Sequence, residues 1–292
     1  MTRLLTALTP IIWGTTYIVT TDFLPPNRPL LAGVLRALPA GLIVLLWFRR
    51  LPHGSWWWKS AALGVANIGG FFAFLFLAAY LLPGGVAAIV TNTAPLWVIA
   101  MSPLLLGTRL QSVQIIGGII AVIGVAALVL TPSAELNMGG VLAGLAASIC
   151  MATGIVLAKK WGAPQGVPQL VVTGWQLTFG GAVLIPFLLA IEGLPDTLSG
   201  RNIAGFAYLT IIGALVAYGL WFNGIAKLDV VDVAILGVLS PVTATVIGTV
   251  FKGETLTAVQ WAGMVMVLVA LVVVQTVGTW PRRRTRATTR AR

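Results

Sequence analysis

Long apolar runs, cut by short clusters of proline, glycine and charge, set the pattern of this chain. A helix needs about 20 apolar residues to cross a bilayer. The breaks place such runs near 4–21, 29–48, 59–80, 84–106, 113–131, 139–159, 168–191, 203–226, 231–251 and 258–279. This spacing predicts about ten spans, divided evenly around the Thr131–Asn137 connection. Arg3 precedes the first run without a small-residue cleavage pattern, so that run reads as a retained span.

Composition agrees with the pattern. Of 292 residues, 58% are hydrophobic and 9% charged, and the mean hydropathy is +0.99. A soluble domain carries roughly a quarter charged residues, so the chain reads as an all-α polytopic membrane protein. The net charge of +11 sits in short loops and in the tail 281–292. Membrane topology and anionic lipid explain those charges better than nucleic acid. Cys150 alone excludes an intrachain disulfide, and a lone His53 cannot assemble a metal site, so neither metal nor cofactor is expected.

One stretch repeats. Val86–Leu130 returns, diverged but in register, as Asp232–Thr276. The slide that takes Pro95 onto Pro241 also takes Gly107, Leu110, Gln114 and Gly117 onto Gly253, Leu256, Gln260 and Gly263. An internal duplication follows, with repeats at 1–132 and 133–280. Basic residues then fix the orientation. With a cytoplasmic N-terminus, the inner segments collect Arg3, Arg49, Arg50, Lys59, Arg109, Lys159, Lys160, Lys227 and the tail arginines, against Arg28, Arg201 and Lys252 outside. Both termini are expected in the cytoplasm. An odd number of spans per repeat inserts the second copy upside down, giving two inverted-topology five-helix repeats, the architecture of alternating-access carriers. Trp47, Trp56, Trp57, Trp58, Trp161 and Trp280 fall at span ends, where their rings suit the headgroup level.

With WGTTYIVT (Trp13–Thr20), ASICMATGIVLAKK (Ala147–Lys160) and the paired proline, GxxL and QxxG arrangement, the chain resembles the drug/metabolite transporter superfamily, EamA type. Its size, span number and aromatic content look like an exporter of aromatic and other neutral amino acids of the YddG type. The resemblance implies a multi-pass carrier of the bacterial cytoplasmic (inner) membrane. Its small-molecule substrate would be an amino acid or a similar metabolite.

Polar residues within spans are costly in hydrocarbon and should face a cavity or a neighbouring helix. Spans five and ten are almost purely apolar and read as scaffold, with Gly117, Gly118 and Gly124 allowing close helix approach. Elsewhere Trp13 and Tyr17 share a helix face, as do Tyr218 and Trp221. Together with Asn67, Tyr80, Asn92 and Trp97 they form the candidate substrate-binding set. Core packing explains each ring alone; the gathering on corresponding helices of both repeats favours a cavity lining. Pro95 and Pro241 are candidate kinks, each removing a backbone donor and freeing the carbonyl four residues earlier. Such carbonyls either accept from a substrate ammonium or are satisfied by local hydroxyls. Arg36, the basic residue well inside a span, either holds a substrate carboxylate or snorkels outward to anchor its helix. Snorkelling is the reading favoured by sequence.

All seven acids (Asp22, Glu135, Glu192, Asp196, Asp229, Asp232, Glu254) lie in loops or at span ends. No midspan carboxylate is available as a proton relay, which departs from the superfamily's small multidrug pumps and argues against drug–proton exchange. A membrane-embedded protease lacks its paired aspartates or its serine and base. The expected function is therefore amino-acid or metabolite export by alternating access. A multidrug exporter of the same fold and a passive channel are the alternatives.

Overall fold

A computed structural model describes residues 1–107, 111–129, 137–225, 227–228 and 236–277, and no strand occurs among them. Apolar runs become helices because every backbone polar group must be paired internally once water is excluded. We number the rods α1 (Thr2–Phe23), α2 (Pro29–Phe48), α3 (Trp56–Leu81), α4 (Gly84–Leu106), α5 (Ser112–Val129), α6 (Met138–Trp161), α7 (Gln169–Glu192), α8 (Gly200–Gly224), α9 (Leu239–Lys252) and α10 (Ala258–Val277). Among the described residues seven helices, α1–α4 and α6–α8, are long and apolar enough to cross a membrane. Helices α5 and α10 carry shorter apolar stretches, Ser112–Ala127 and Ala258–Val273.

Several rods are not regular. Helix α1 is interrupted at Thr15, and α4 breaks between Thr91 and Ala94. Helices α3 and α8 each contain a π-helical segment, Val65–Gly70 and Tyr208–Val216. Such segments shift the hydrogen-bond register and recur at functional sites. Pro95 and Pro241 both stand in the first turn of the segment after a break, at Asn92–Thr93 and at Val238. There proline costs no intrahelical bond. Around the first break, Thr91 Oγ1 and Asn92 Nδ2 donate to carbonyls of the preceding turn, at 2.8 Å each.

Small residues bring rods together. Helices α2 and α7 cross so closely that a Cβ on Gly41 would come within 2.5 Å of the Thr178 amide, and one on Gly181 within 2.7 Å of Leu38. Helix α5 packs on α10, with Gly124 against the Gly263 carbonyl. Gly118 meets no neighbour within 4 Å, so it does not serve the approach expected of it. The outer faces of this pair, such as Ile116, Ile119, Val265 and Val269, are exposed and apolar, as lipid contact requires.

Contacts between rod ends define two opposite faces. At one, Lys252 pairs with Asp22, the Gly84 amide donates to Glu254, Asn202 donates to the Phe23 carbonyl, and Tyr80 donates to the Pro25 carbonyl. At the other, Arg50 donates to the Gly166 carbonyl, Trp175 donates to the Arg50 carbonyl, and Trp58 meets Trp161 at 4.9 Å. We call these the Asp22 end and the Arg50 end. Trp57 and Trp58 are half exposed, as a headgroup belt requires, but Trp56 is buried in a small core with Trp175 and Leu63. Arg109, Glu135, Asp229, Asp232, Trp280 and the tail 281–292 lie outside the described residues.

Candidate functional site

Midway between the two ends, side chains from α1, α2, α3, α4 and α8 converge. Trp13 and Tyr17, one helical turn apart on α1, turn toward the bundle interior. The Trp13 ring meets Tyr218 edge-on at 5.7 Å and Trp221 at 5.4 Å, and Tyr218 stacks on Phe222 at 6.0 Å. Trp13 Nε1 donates to the Gly213 carbonyl at 3.2 Å. Gly213 belongs to the π-helical part of α8, whose altered register leaves carbonyls free for partners on other helices. Toward the Asp22 end, the Tyr17 hydroxyl meets Thr91 Oγ1 at 2.8 Å, and Thr15 Oγ1 meets the Tyr208 hydroxyl at 2.7 Å.

Arg36 completes the cluster and corrects the expectation from sequence. It does not snorkel: it is 3% exposed. Its Nη2 donates to the same Gly213 carbonyl that Trp13 uses, and its Nη1 donates to Thr16 Oγ1, at 3.2 and 3.3 Å. The guanidinium lies 4.7 Å from the centroid of the Phe72 ring. Snorkelling needs a route along the helix to water. Arg36 lacks one because α3 and α8 pack over α2 on the face where it emerges.

The other sequence candidates are placed apart. Asn67 belongs to the π-helical part of α3 and donates to Gln176 Oε1 on α7 at 2.9 Å. Tyr80 lies at the Asp22 end, beside an open groove of about 450 Å³ shared with Arg28 and Glu192. Asn92 is taken up by its own helix, and Trp97 is half-buried on the second segment of α4 without a ring contact among the described residues. Thus Trp13, Tyr17, Tyr218 and Trp221 come together, while Asn67, Tyr80, Asn92 and Trp97 do not join them. Gly213, Thr16, Tyr208 and Phe72 were not foreseen. A glycine in an apolar run gives no sign that its carbonyl will serve a helix elsewhere in the fold.

The two ends differ in closure. Every residue of α4 from Gly85 to Thr91 is buried, whereas its second segment buries Ala94 and Ser102 only. Close approach seals the first half: a Cβ on Gly85 would meet Thr245, and one on Gly14 the Ser240 carbonyl. Between α1, α4 and α9 a cavity of about 40 Å³ remains, walled by Tyr17, Gly84, Ala244 and Glu254. The first half of α4 is therefore sealed toward the Asp22 end, while its second half is partly exposed.

The EamA-like transporter family matches residues 2–130 and 138–276. The chain is 45% identical to Protein PecM of Dickeya dadantii, covering 94% of this chain and 92% of that protein. It is 29% identical to a probable amino-acid metabolite efflux pump of Salmonella typhimurium, covering 91% and 92%. With an uncharacterized inner membrane transporter, YedA, of Escherichia coli it shares 26% identity over 90% and 87%. A solved crystal structure shares the fold at a TM-score of 0.65 with 21% identity, covering 94% of this chain and 96% of that one.

Proposed function

The chain belongs to the EamA-like transporter family, and on that footing we propose that it is a secondary exporter of amino acids, chiefly aromatic and other neutral ones, or similar small metabolites. The observation that carries this reading is the ring cluster of Trp13, Tyr218 and Trp221 beside buried Arg36, midway between the two ends. Ring faces, a guanidinium and a π-helical carbonyl offer an amphipathic solute an apolar bed and a polar grip. The efflux-pump name of the Salmonella relative and the inner-membrane name of the E. coli relative favour export across a bacterial cytoplasmic membrane.

Movement follows from ten spans arranged as two inverted repeats, 1–132 and 133–280, with 281–292 as a cytoplasmic tail. Several observations support that arrangement. The family matches two stretches of similar length. The displacement that carries Gly41 onto Gly181 also carries Leu38 onto Thr178, so one contact between α2 and α7 maps onto the other. It carries Arg36 onto Gln176 too. Each of these reaches a π-helical segment, Arg36 the one in α8 and Gln176 the one in α3. The breaks before Pro95 and Pro241 are likewise paired. With basic segments inside, the Asp22 end is outermost, both termini are cytoplasmic, and the present arrangement is closed outward. Rocking one repeat against the other would open Asp22–Lys252 and Gly85–Thr245 and close the Arg50 half.

Counterflow tests the reading: purified protein in liposomes, preloaded with unlabelled amino acid, is given the labelled one outside. A carrier accumulates label transiently above equilibrium, and the rate saturates. Simple equilibration without overshoot, for every member of a panel of neutral amino acids, would establish a pore instead.

A further inference from the structure

Arg36 is a buried cation with part of its hydrogen-bonding capacity unused. A guanidinium has five N–H donors, and in this structure Gly213 and Thr16 accept two bonds while Nε is buried without an acceptor. The surrounding side chains are Tyr17, Tyr208 and Tyr218 with the Phe72 and Phe76 rings, and no carboxylate is among them. The described acids are each placed elsewhere. Asp22 pairs with Lys252. Glu192 accepts from the Leu30 and Leu31 amides, and Glu254 accepts from the Gly84 amide. Asp196 is exposed in the connection after α7. In the sequence Glu135 and Asp229 fall in connections between apolar runs, and Asp232 falls at the end of one. A buried charge in a membrane is retained where it meets a partner or serves transport.

We infer that the counter-charge for Arg36 arrives with the cargo, so that the carrier requires a free carboxylate on the amino acids or similar small metabolites it moves, and rejects cations. This rests on reading the Trp13 cluster as the substrate site. Arg36 and Trp13 Nε1 both point at the Gly213 carbonyl. A carboxylate in that carbonyl's place receives both donors, and the guanidinium fork suits its two oxygens. The apolar body of the solute then lies on Trp13, Tyr218 and Trp221. No acidic side chain among the described residues stands near enough to receive an ammonium.

The driving force follows from the same charge. For a cargo of net negative charge, leaving a negative-inside compartment gains from the membrane potential, about fiftyfold in distribution per 100 mV. Export of such an anion needs no proton relay, in keeping with the lack of a midspan carboxylate among the described residues.

The test uses triplets that share a side chain and differ in charge: the N-acetyl acid, the free amino acid and the amide of tryptophan, phenylalanine and leucine. Equilibrium binding to the purified full chain is measured for wild type, Arg36→Lys and Arg36→Gln. In wild type at least one N-acetyl acid should bind tenfold or more tightly than its amide. Arg36→Lys should keep that order with weaker binding, and Arg36→Gln should erase it. Efflux of that acid from liposomes should quicken when valinomycin sets the lumen negative. Binding of no N-acetyl acid, or an amide held as tightly as its acid by wild type, overturns the inference whether or not either variant folds. So does a folded Arg36→Gln that keeps the charge order. If free amino acids show counterflow that Arg36→Gln leaves unchanged, the exporter reading stands and the anion inference falls. If the acids bind in the expected order but nothing shows counterflow, the reverse holds.

Discussion

Replacing Gly85 by alanine should pry open the Asp22 end. A Cβ built there stands 2.5 Å from Thr245 Oγ1 and 3.1 Å from Thr245 Cα. The hydroxyl can rotate, but the backbone of α9 cannot yield without moving the helix. Ordinary contact between two carbons is about 3.5–4.0 Å, so α4 and α9 must separate by several tenths of an ångström where they now seal. Overpacking of this kind costs about 1–3 kcal/mol. Charged to the closed arrangement alone, it lowers that population about five- to 150-fold relative to one open at this end. Thr91, 4% exposed and bonded to Tyr17, reports the opening. In a Cys150→Ala background, a cysteine at position 91 should react with an impermeant maleimide faster in Gly85→Ala by a factor in that range. Gly118→Ala is the control, because a Cβ there meets nothing within 4 Å. Equal labelling rates in both proteins, with melting temperatures preserved, would refute the view that this contact is the seal.

Three further outcomes are expected. Trp13→Phe removes the bond to Gly213 but keeps a ring, and should weaken substrate binding by about 0.5–1.5 kcal/mol; Trp13→Ala also loses both ring contacts and should cost at least twice that, as read by direct binding. Glu192→Ala leaves the Leu30 and Leu31 amides at the start of α2 without their acceptor, and should lower stability by about 1–2 kcal/mol in a thermal melt while leaving the charge order of ligands unchanged. Pro95→Ala and Pro241→Ala should fold and insert yet transport more slowly, since each proline lacks the N–H that would bond across the break to the carbonyl four residues earlier; wild-type counterflow in both would show that the breaks do not need them.

Much was legible in the sequence because a bilayer imposes a one-dimensional test. A run such as 29–48 either can or cannot lie in hydrocarbon, and that depends on its own residues alone. The helical class, the almost purely apolar, scaffold character of spans five and ten, and the placing of the acids in loops or at span ends all follow from reading one segment at a time. Trp13 with Tyr17, and Tyr218 with Trp221, were found the same way, since helix periodicity places such pairs on one face. What lay between segments was not legible. Arg36 and Gly213 stand 177 residues apart, and which carbonyl a buried guanidinium meets depends on which helices abut and in what register. Close approaches at Gly41, Gly181 and Gly85 set the neighbours, and the π-helical segments of α3 and α8 turn the register away from regular spacing. So the sequence weighed Arg36 by itself and favoured snorkelling, whereas in the tertiary structure α3 and α8 cover it and hold its charge beside the aromatic cluster. Tyr80 shows the same limit: its aromatic character was plain, but only the packing of α3 against the Pro25 turn puts it at the Asp22 end.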